Sequence, residues 1–377
     1  MTATATQLDV PLFALGKQHA ELHREILEAW SRVLRLGAFV NGPEVAAFEE
    51  EFAAACEVRS CVAVSSGTDA LVLALRALGT CRGERVIVPA NTFVATAEAV
   101  SLTGGVPVLV DCDPVTRTLS VEAVERELRA RGAVGIIAVH LYGHPADMDA
   151  LAAVASGHGA WIVEDAAQAH LARYRGRRVG GLGRLGCFSF YPSKNLGATG
   201  EGGALTTDDE ELAATLRALR DHGQREKNHH ELVGCNARLP EVVGAALRIK
   251  LCHLERWTTE RRRAAARYAS ALDGAERVRL PRTAPWADPV WHVYPVEVEN
   301  RDTVRRRLRE LGIGTGVHYP TPIHLQPAYA HLGLGVGAFP EAERSAARVL
   351  SLPMYPELSD AQVDRVADRL RAATEEV

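Results

Sequence analysis

The chain of 377 residues is longer than one hydrophobic core usually supports, so it predicts two domains that share an interface. Its hydrophobic fraction of 47% and charged fraction of 24% are typical of an ordinary globular protein. A formal net charge of −4, with no basic tract that contains interleaved aromatic residues, argues against nucleic-acid binding.

The N-terminal stretch has no basic region followed by an apolar core, and the chain contains no run of about 18 apolar residues. We therefore expect a cytoplasmic protein without a membrane partner. The seven cysteines are scattered and form no C-x-x-C pair, which argues against both a disulfide framework and a zinc site. No metal site is predicted.

An amphipathic helix is predicted over about residues 17–36, and short apolar runs then alternate with helix-length segments. The predicted strands cover residues 61–66, 85–89, 107–111, 135–143, 161–166, 187–193 and 204–208. Such alternation is typical of a mostly parallel sheet with helices on both faces. We predict a large α/β domain over residues 1–250, built on a mostly parallel seven-stranded sheet.

Residues 239–272 form one helical pattern that is long enough to connect two domains. After Pro281 the pattern changes to a β-rich run at 290–300, a helix at 303–313 and a further β-rich run at 314–329. This order predicts a β-α-β unit. We assign residues 251–377 to a smaller C-terminal α+β domain.

Ligands of open parallel sheets lie beyond the carboxyl ends of the strands, so the residues that follow each strand are candidates for a site. In residues 62–75 a strand leads through Ser-Ser-Gly-Thr into a helix, whose first backbone N–H groups suit an anion. Ser66 and Asp69 are also explained as a capping box without any ligand. Gly67 and Thr68 remain as candidate anion-binding residues.

The buried strand at 161–166 ends with two carboxylates, Glu164 and Asp165, and Gln168 follows it. Asp165 could pair with the protonated ring nitrogen of pyridoxal 5'-phosphate (PLP), and Gln168 could reach the ring oxygen. We prefer Asp165 to Glu164 because Val163 and Asp165 point to the same face of the strand. The alternative is that Asp165 caps the next helix.

Only four of the 43 basic residues are lysines. Lys194 lies in SFYPSKNLGATGEGGA, with no acidic residue within five positions before it or six after it. A lysine can lose its proton and attack an aldehyde, whereas an arginine stays protonated. Lys194 is therefore a candidate for covalent PLP binding and Ser189 for phosphate binding, and a solvated loop lysine is the alternative. Phe93, after the strand at 85–89, could stack on the ring or belong to the core.

Seven motifs resemble, in their order and spacing, those of the DegT/DnrJ/EryC1/StrS sugar aminotransferases. They are GTDAL, TFVAT, EDAAQAH, SFYPSKN, GEGGALTT, GCNARL and GVHYPTPIHLQPAY. The resemblance, which extends from about Leu12 to the C-terminal helix, implies the PLP fold type I of aspartate aminotransferase. It also implies a homodimer with active sites at the subunit interface. The implied reaction moves the amino group of L-glutamate to a keto group of a nucleotide-linked sugar, with PLP and its pyridoxamine form (PMP) as cofactors.

The resemblance also assigns roles to individual residues. Lys194 would bind the cofactor covalently, Asp165 would face the ring nitrogen and Gln168 the ring oxygen. The remaining cofactor contacts would be Phe93 on the ring face, Gly67, Thr68 and Ser189 at the phosphate, and Asn236 at the phosphate of the partner subunit's site. Family members that dehydrate their substrate have histidine in place of the lysine, so Lys194 favours transamination.

The segment HYPTPIHLQPAY together with EDAAQAH resembles the enzymes that aminate C3 of dTDP-3-keto-6-deoxyhexoses for antibiotic deoxyaminosugars. We therefore expect a dTDP-linked keto-deoxysugar as substrate, with a 4-keto sugar nucleotide or a keto-inositol as the alternative. A non-catalytic regulatory protein with the same fold is an alternative of a different class. Candidate substrate-binding residues, each with a solvated loop position as the alternative, are Lys227, His229, His230, His318 and Tyr319. Leu171 stands where many relatives have glycine and could reshape the sugar pocket.

Overall fold

The computed structural model describes residues 8–375, so the outermost residues of the two predicted domains, 1–7 and 376–377, lie outside the described residues. The strands are β1 Ser60–Val64, β2 Arg85–Pro89, β3 Val106–Val110, β4 Gly135–Val139, β5 Trp161–Asp165, β6 Arg173–Tyr174, β7 Arg177–Arg178, β8 Leu185–Ser189, β9 Gly203–Thr207, β10 Gln224–Glu226, β11 His229–His230, β12 Val278–Arg279, β13 Ala287–Asp288, β14 Tyr294–Val298 and β15 Val349–Leu352. The α-helices are α1 Leu15–Leu36, α2 Pro43–Ala55, α3 Gly67–Ala77, α4 Val94–Leu102, α5 Val121–Arg131, α6 Met148–Ser156, α7 Glu210–Arg220, α8 Glu241–Leu251, α9 Leu254–Ala271, α10 Arg301–Glu310, α11 Pro340–Arg348 and α12 Asp360–Glu375. No helix in this part of the chain has the length and apolar character that crossing a membrane requires.

Seven strands form one sheet in the order β1-β9-β8-β5-β4-β2-β3. Strand β9 is antiparallel to both of its neighbours, and the other neighbouring pairs are parallel. The prediction of a mostly parallel seven-stranded sheet is therefore confirmed.

Both faces of this sheet are covered by helices, which explains why its strands carry apolar residues on both faces. Val86, Val88 and Val163 belong to the core shared with α3, α4 and α7. Ile87 and Ile136, on the other face, belong to a core shared with α5 and α6. Because the parallel strands all point the same way, their carboxyl ends meet at one edge of the sheet, where the polar residues after the strands converge.

The helical pattern at 239–272 consists of two helices and not one. Helix α8 packs on α1 and α2 beside the large sheet, whereas α9 packs on α12. A turn at residues 252 and 253 separates them, so α8 ends at Leu251 and α9 begins at Leu254. The domain boundary at residues 250 and 251 stays a prediction.

The smaller region contains a three-stranded antiparallel sheet in the order β12-β14-β15. The prediction of a strand within residues 314–329 is wrong, because this segment has two 3-10 turns and one isolated β-bridge, between Gly316 and Ser351. Three prolines in it, at positions 320, 322 and 327, have no backbone N–H to donate to a sheet. Strand β15 pairs with β14 instead. The 314–329 segment instead contacts the large sheet, where the N–H of Ile323 donates to the carbonyl of Ala90 just after β2.

Candidate active site

A cavity of about 490 Å³ lies at the edge of the sheet where the parallel strands end. Nine of the residues that the sequence predicts for the site line it, namely Gly67, Thr68, Phe93, Asp165, Gln168, Ser189, Lys194, His318 and Tyr319. Segments that are far apart in the sequence are thus brought together around one space. The last two residues come from the 314–329 segment of the smaller region.

One wall of the cavity is the N-terminus of α3. Ser66 caps this helix, since its Oγ accepts a hydrogen bond from the N–H of Asp69 at 3.0 Å. The earlier N–H groups, those of Gly67 and Thr68, have no acceptor within the helix and are available to an anion. A Cβ on residue 67 would lie 2.6 Å from the Cβ of Ser189, so only glycine lets α3 begin this close to the end of β8. The arrangement fits a phosphate group.

The two neighbouring carboxylates at the end of β5 have different surroundings. Asp165 lines the cavity and accepts hydrogen bonds from Thr96 Oγ1 at 2.8 Å and from the N–H of Ala167 at 3.2 Å. Both donors are neutral. This buried carboxylate therefore retains the capacity to pair with a cation such as a protonated ring nitrogen.

Glu164 is fully buried, and its carboxylate is satisfied by the protein itself. It accepts hydrogen bonds from the backbone N–H groups of Gly180, Leu182 and Gly183 at 2.7 to 2.8 Å. His140 Nε2 lies 3.0 Å from its Oε2. Because the N–H of Ala146 donates to His140 Nδ1, the ring proton is on Nε2 and is donated to Glu164. Glu164 therefore stabilises the turn at residues 180–183, whereas Asp165 lines the cavity.

Lys194 extends from a tightly folded loop after β8. Its backbone N–H donates to the carbonyl of Tyr191 at 2.8 Å. The amide of Asn195 donates to the carbonyl of Val290 at 3.0 Å, and Lys250 Nζ donates to the carbonyl of Gly197 at 2.6 Å, so both ends of the loop are anchored. Burial lowers the pKa of the Lys194 amine to about 8, although the negative charge of Asp165 acts in the opposite direction. An appreciable fraction of the amine is therefore neutral near neutral pH.

The amide of Gln168 is held in one orientation. Its Oε1 accepts a hydrogen bond from the N–H of Tyr142 at 2.6 Å, and its Nε2 donates to the hydroxyl of Tyr319 at 3.0 Å. The hydroxyl of Tyr142 donates to the carbonyl of His318. Tyr142 thus connects Gln168 to the segment that carries His318 and Tyr319, a role that sequence reasoning missed.

An aromatic surface completes the cavity. The Phe93 ring, 51% exposed, lies with its centroid 5.4 Å from that of Tyr319. Burial, and then the charge of Lys194, lower the pKa of His318 to about 4 and that of His292 well below its usual value. Both imidazoles are neutral at physiological pH. Since no arginine lines the cavity, Lys194 is its one basic residue of the Lys/Arg type among the described residues.

Four predicted residues do not line the cavity of their own chain. Lys227, His229 and His230 lie on or beside the exposed hairpin of β10 and β11, where His230 Nδ1 contacts the carbonyl of His222 at 2.9 Å. Asn236 is also exposed and accepts a hydrogen bond from Arg238 at 3.1 Å. Their contacts with cofactor and substrate stay predictions.

Leu171 also lies outside the cavity lining. It is buried in an apolar core, and its backbone has a φ of 64°, in the left-handed region that glycine adopts without strain. The glycine expected at this position therefore reflects backbone conformation. The Leu171 side chain packs in the core and does not line the cavity.

Comparison with known proteins agrees with this geometry. A model of the DegT/DnrJ/EryC1/StrS aminotransferase family matches residues 20–371. The chain is 50% identical over 365 residues to the erythromycin biosynthesis sensory transduction protein EryC1 of Saccharopolyspora erythraea. This match covers 97% of this chain and 100% of the relative. The chain is also 49% identical over 377 residues to the dTDP-3-amino-3,4,6-trideoxy-alpha-D-glucose transaminase of Streptomyces venezuelae. This second match covers 100% of this chain and 99% of the relative.

A solved structure gives the same result. The crystal structure of S. venezuelae DesV in complex with a ketimine intermediate has 49% sequence identity and a TM-score of 0.96, and the match covers 99% of this chain and 100% of that chain. The chain therefore belongs to the DegT/DnrJ/EryC1/StrS aminotransferase family.

Proposed function

We propose that this PLP-dependent aminotransferase transfers the amino group of L-glutamate to the C3 keto group of a dTDP-linked keto-deoxysugar. The observation that carries the proposal is the convergence of the Lys194 amine and the Asp165 carboxylate on one cavity that also contains an anion-binding helix start. The substrate class is supported by the full-length similarity to the S. venezuelae transaminase, whose name specifies a 3-amino dTDP sugar.

The residues present fit PLP at each of its functional groups. Gly67, Thr68 and Ser189 would hold the phosphate, Phe93 would stack on the ring, and Gln168 Nε2 would reach the ring oxygen. Among the described residues Asp165 forms no salt bridge and accepts hydrogen bonds only from neutral donors, so it is available for a protonated ring nitrogen. When bound, PLP supplies an electron sink for the charge left when a proton is removed from the substrate carbon.

The chemistry assigned to the protein is proton transfer by Lys194. In the cofactor-free protein the Lys194 Nζ is a base with a pKa of about 8. This amine would take the proton from the α-carbon of L-glutamate, and it would later deliver a proton to the C3 carbon of the keto sugar. The neutral His318 and His292 accept or donate hydrogen bonds and add no competing positive charge.

A homodimer with shared active sites forms part of the proposal. A sugar nucleotide has a diphosphate, yet no arginine in residues 8–375 lines the cavity of one chain. The partner's hairpin would supply Lys227, His229 and His230, and its Asn236 would reach the cofactor phosphate. Apolar side chains exposed on and after α1 suit a subunit interface; they are Leu27, Leu34, Leu36, Phe39 and Val40.

The test is to incubate the purified protein with PLP, L-glutamate and separate ketone acceptors. The 3-keto dTDP-deoxysugar should yield 2-oxoglutarate and an aminated sugar whose carbon and configuration are read by NMR. Preferred turnover of a 4-keto sugar nucleotide or a keto-inositol would replace the proposed substrate. If no acceptor yields 2-oxoglutarate, the regulatory alternative is favoured.

Lys194→Ala should abolish both the covalent cofactor absorbance and the turnover, because no other amine lines the cavity among the described residues. The matched control is Lys17→Ala, which removes an exposed lysine on α1 and should leave both unchanged. Normal absorbance and turnover in the Lys194 variant would exclude the proposed role.

A further inference from the structure

Asp165 has few hydrogen-bond donors for a buried carboxylate. The residue is 7% exposed, and each of its oxygens accepts one hydrogen bond, from Thr96 Oγ1 at 2.8 Å and from the N–H of Ala167 at 3.2 Å. An ionised carboxylate has about four acceptor sites. Each of the two donors therefore contributes a large share of the stabilisation that Asp165 receives from the protein. Glu164, by contrast, has four donors.

The hydrogen bond from Thr96 belongs to a chain with a defined direction. Thr96 Oγ1 also lies 2.9 Å from Thr92 Oγ1. A hydroxyl has one proton to donate, and an ionised carboxylate can only accept. Thr96 therefore donates to Asp165, and Thr92 must donate to Thr96. Both hydroxyl protons point toward the carboxylate, so Thr96 acts on it only as a hydrogen-bond donor.

Packing alone does not explain a threonine at position 96. The residue is fully buried on α4, and the other buried residues of that helix are Ala95, Ala97, Ala99 and Val100. Valine has the same branched shape and would be buried there without the cost of desolvating a hydroxyl. The hydroxyl is therefore present for its polar partners, and its accepting partner is Asp165.

We propose that Thr96 is a positioning residue for the cofactor, acting through Asp165. Its hydroxyl holds the carboxylate facing the ring nitrogen, so that this nitrogen stays protonated and the ring withdraws electrons. The inference rests on the role proposed above for Asp165. It predicts that the hydroxyl of Thr96 affects how tightly PLP binds and how the bound cofactor titrates.

The experiment compares Thr96→Val with Thr96→Ser. For each variant the dissociation constant of PLP from the cofactor-free protein and the pH midpoint of the bound cofactor's absorbance change are measured. Thr96→Val should weaken PLP binding about tenfold. It should raise the midpoint by about half a pH unit, because a less strongly protonated ring draws less electron density from the Lys194 nitrogen. Thr96→Ser keeps the hydroxyl and should remain within about threefold of the parent protein.

The matched control is Thr258→Val. Thr258 is 1% exposed and its hydroxyl is buried without a hydrogen-bond partner, so its removal should change neither quantity. Parental binding and titration in Thr96→Val would overturn the inference. Equal defects in Thr96→Val and Thr96→Ser, or in Thr96→Val and Thr258→Val, would overturn it as well, because the hydroxyl would then not be responsible.

An Asp165→Asn background separates this inference from the proposed function. There, Thr96→Val should add almost nothing to the loss of PLP affinity, because the carboxylate through which it acts is gone. Additive losses would contradict the inference. If Asp165→Asn itself binds and titrates PLP normally, the role of Asp165 in the proposed function is wrong; if only Thr96→Val is normal, that role stands and the inference fails.

Discussion

Lys194 lowers the stability of the folded protein, but its burial also gives the site a partly neutral amine. Burial lowers the pKa of its amine from 10.5 to about 8, so the folded protein releases this proton more easily than the unfolded chain does. Between pH 8 and 10.5 the unfolded state therefore binds more protons, and the stability of the folded state rises with pH across that window. Below pH 8 the full cost of burying the ammonium is present.

This linkage predicts a pH-dependent effect of Lys194→Met in the cofactor-free protein. At pH 7 the variant should gain up to about 3 kcal/mol over the parent from the lost ammonium, and at pH 10 this gain should be about 2 kcal/mol smaller. Urea unfolding at both pH values measures the difference. Lys227→Met, at an exposed site, is the control and should show the same small effect at both. An identical effect of Lys194→Met at both pH values would contradict the pKa assignment.

Strand β5 places two adjacent carboxylates on opposite faces of the sheet, and their partners assign them different tasks. Glu164 has four donors supplied by the protein, whereas Asp165 has two and faces the cavity. Alternation along a strand was enough to prefer Asp165 from the sequence. It did not indicate what Glu164 does, because its partners at 140 and 180–183 come from other parts of the chain.

The pair predicts opposite outcomes for two conservative substitutions. Glu164→Gln should lower the free energy of unfolding by about 3 kcal/mol, since an amide N–H would face backbone N–H donors. The fraction of Glu164→Gln protein that is folded should keep the absorbance of bound PLP. Asp165→Asn should change stability by only about 1 kcal/mol but should lose most of its PLP affinity and turnover. Denaturant unfolding and PLP titration of both variants provide the test, and equal effects in the two assays would refute the division of roles.

At the scale of the whole molecule, local patterns predicted the central sheet but not the connections that complete the cavity. Apolar runs and helix-length spacers indicate β1 to β5, β8 and β9 because both faces of those strands are buried. The left-handed backbone of Tyr142 (φ 62°) has no local signal, since it depends on contacts with Gln168 and His318. The misassigned strand at 314–329 has the same cause: the segment is fixed by what it contacts, and its prolines exclude it from the sheet.

Whether one chain makes a complete active site depends on how two chains are arranged in the proposed homodimer. Lys194 and Asp165 line the cavity of their own chain, whereas Asn236 is exposed and lies outside it. If the homodimer shares its sites as proposed, Lys194→Ala and Asn236→Ala should each be nearly inactive alone. In a mixed dimer one cavity would contain both substitutions and the other neither. One of the two cavities in each purified mixed dimer is then intact, so about half of the parental turnover should return.

The matched control is a mixture of Lys194→Ala with Asp165→Asn. Both of these residues belong to the same chain's cavity, so each cavity of a mixed dimer would have one defect and no turnover should return. Turnover is measured after the two variants are co-expressed and mixed dimers are purified with two different tags. Recovery only in the pair with Asn236→Ala is the result that a shared site requires. Recovery in both pairs would mean that Lys194 and Asp165 do not serve the same cavity, which contradicts the geometry of the site. Recovery in neither would mean that each chain uses its own Asn236 or none, which contradicts the shared site.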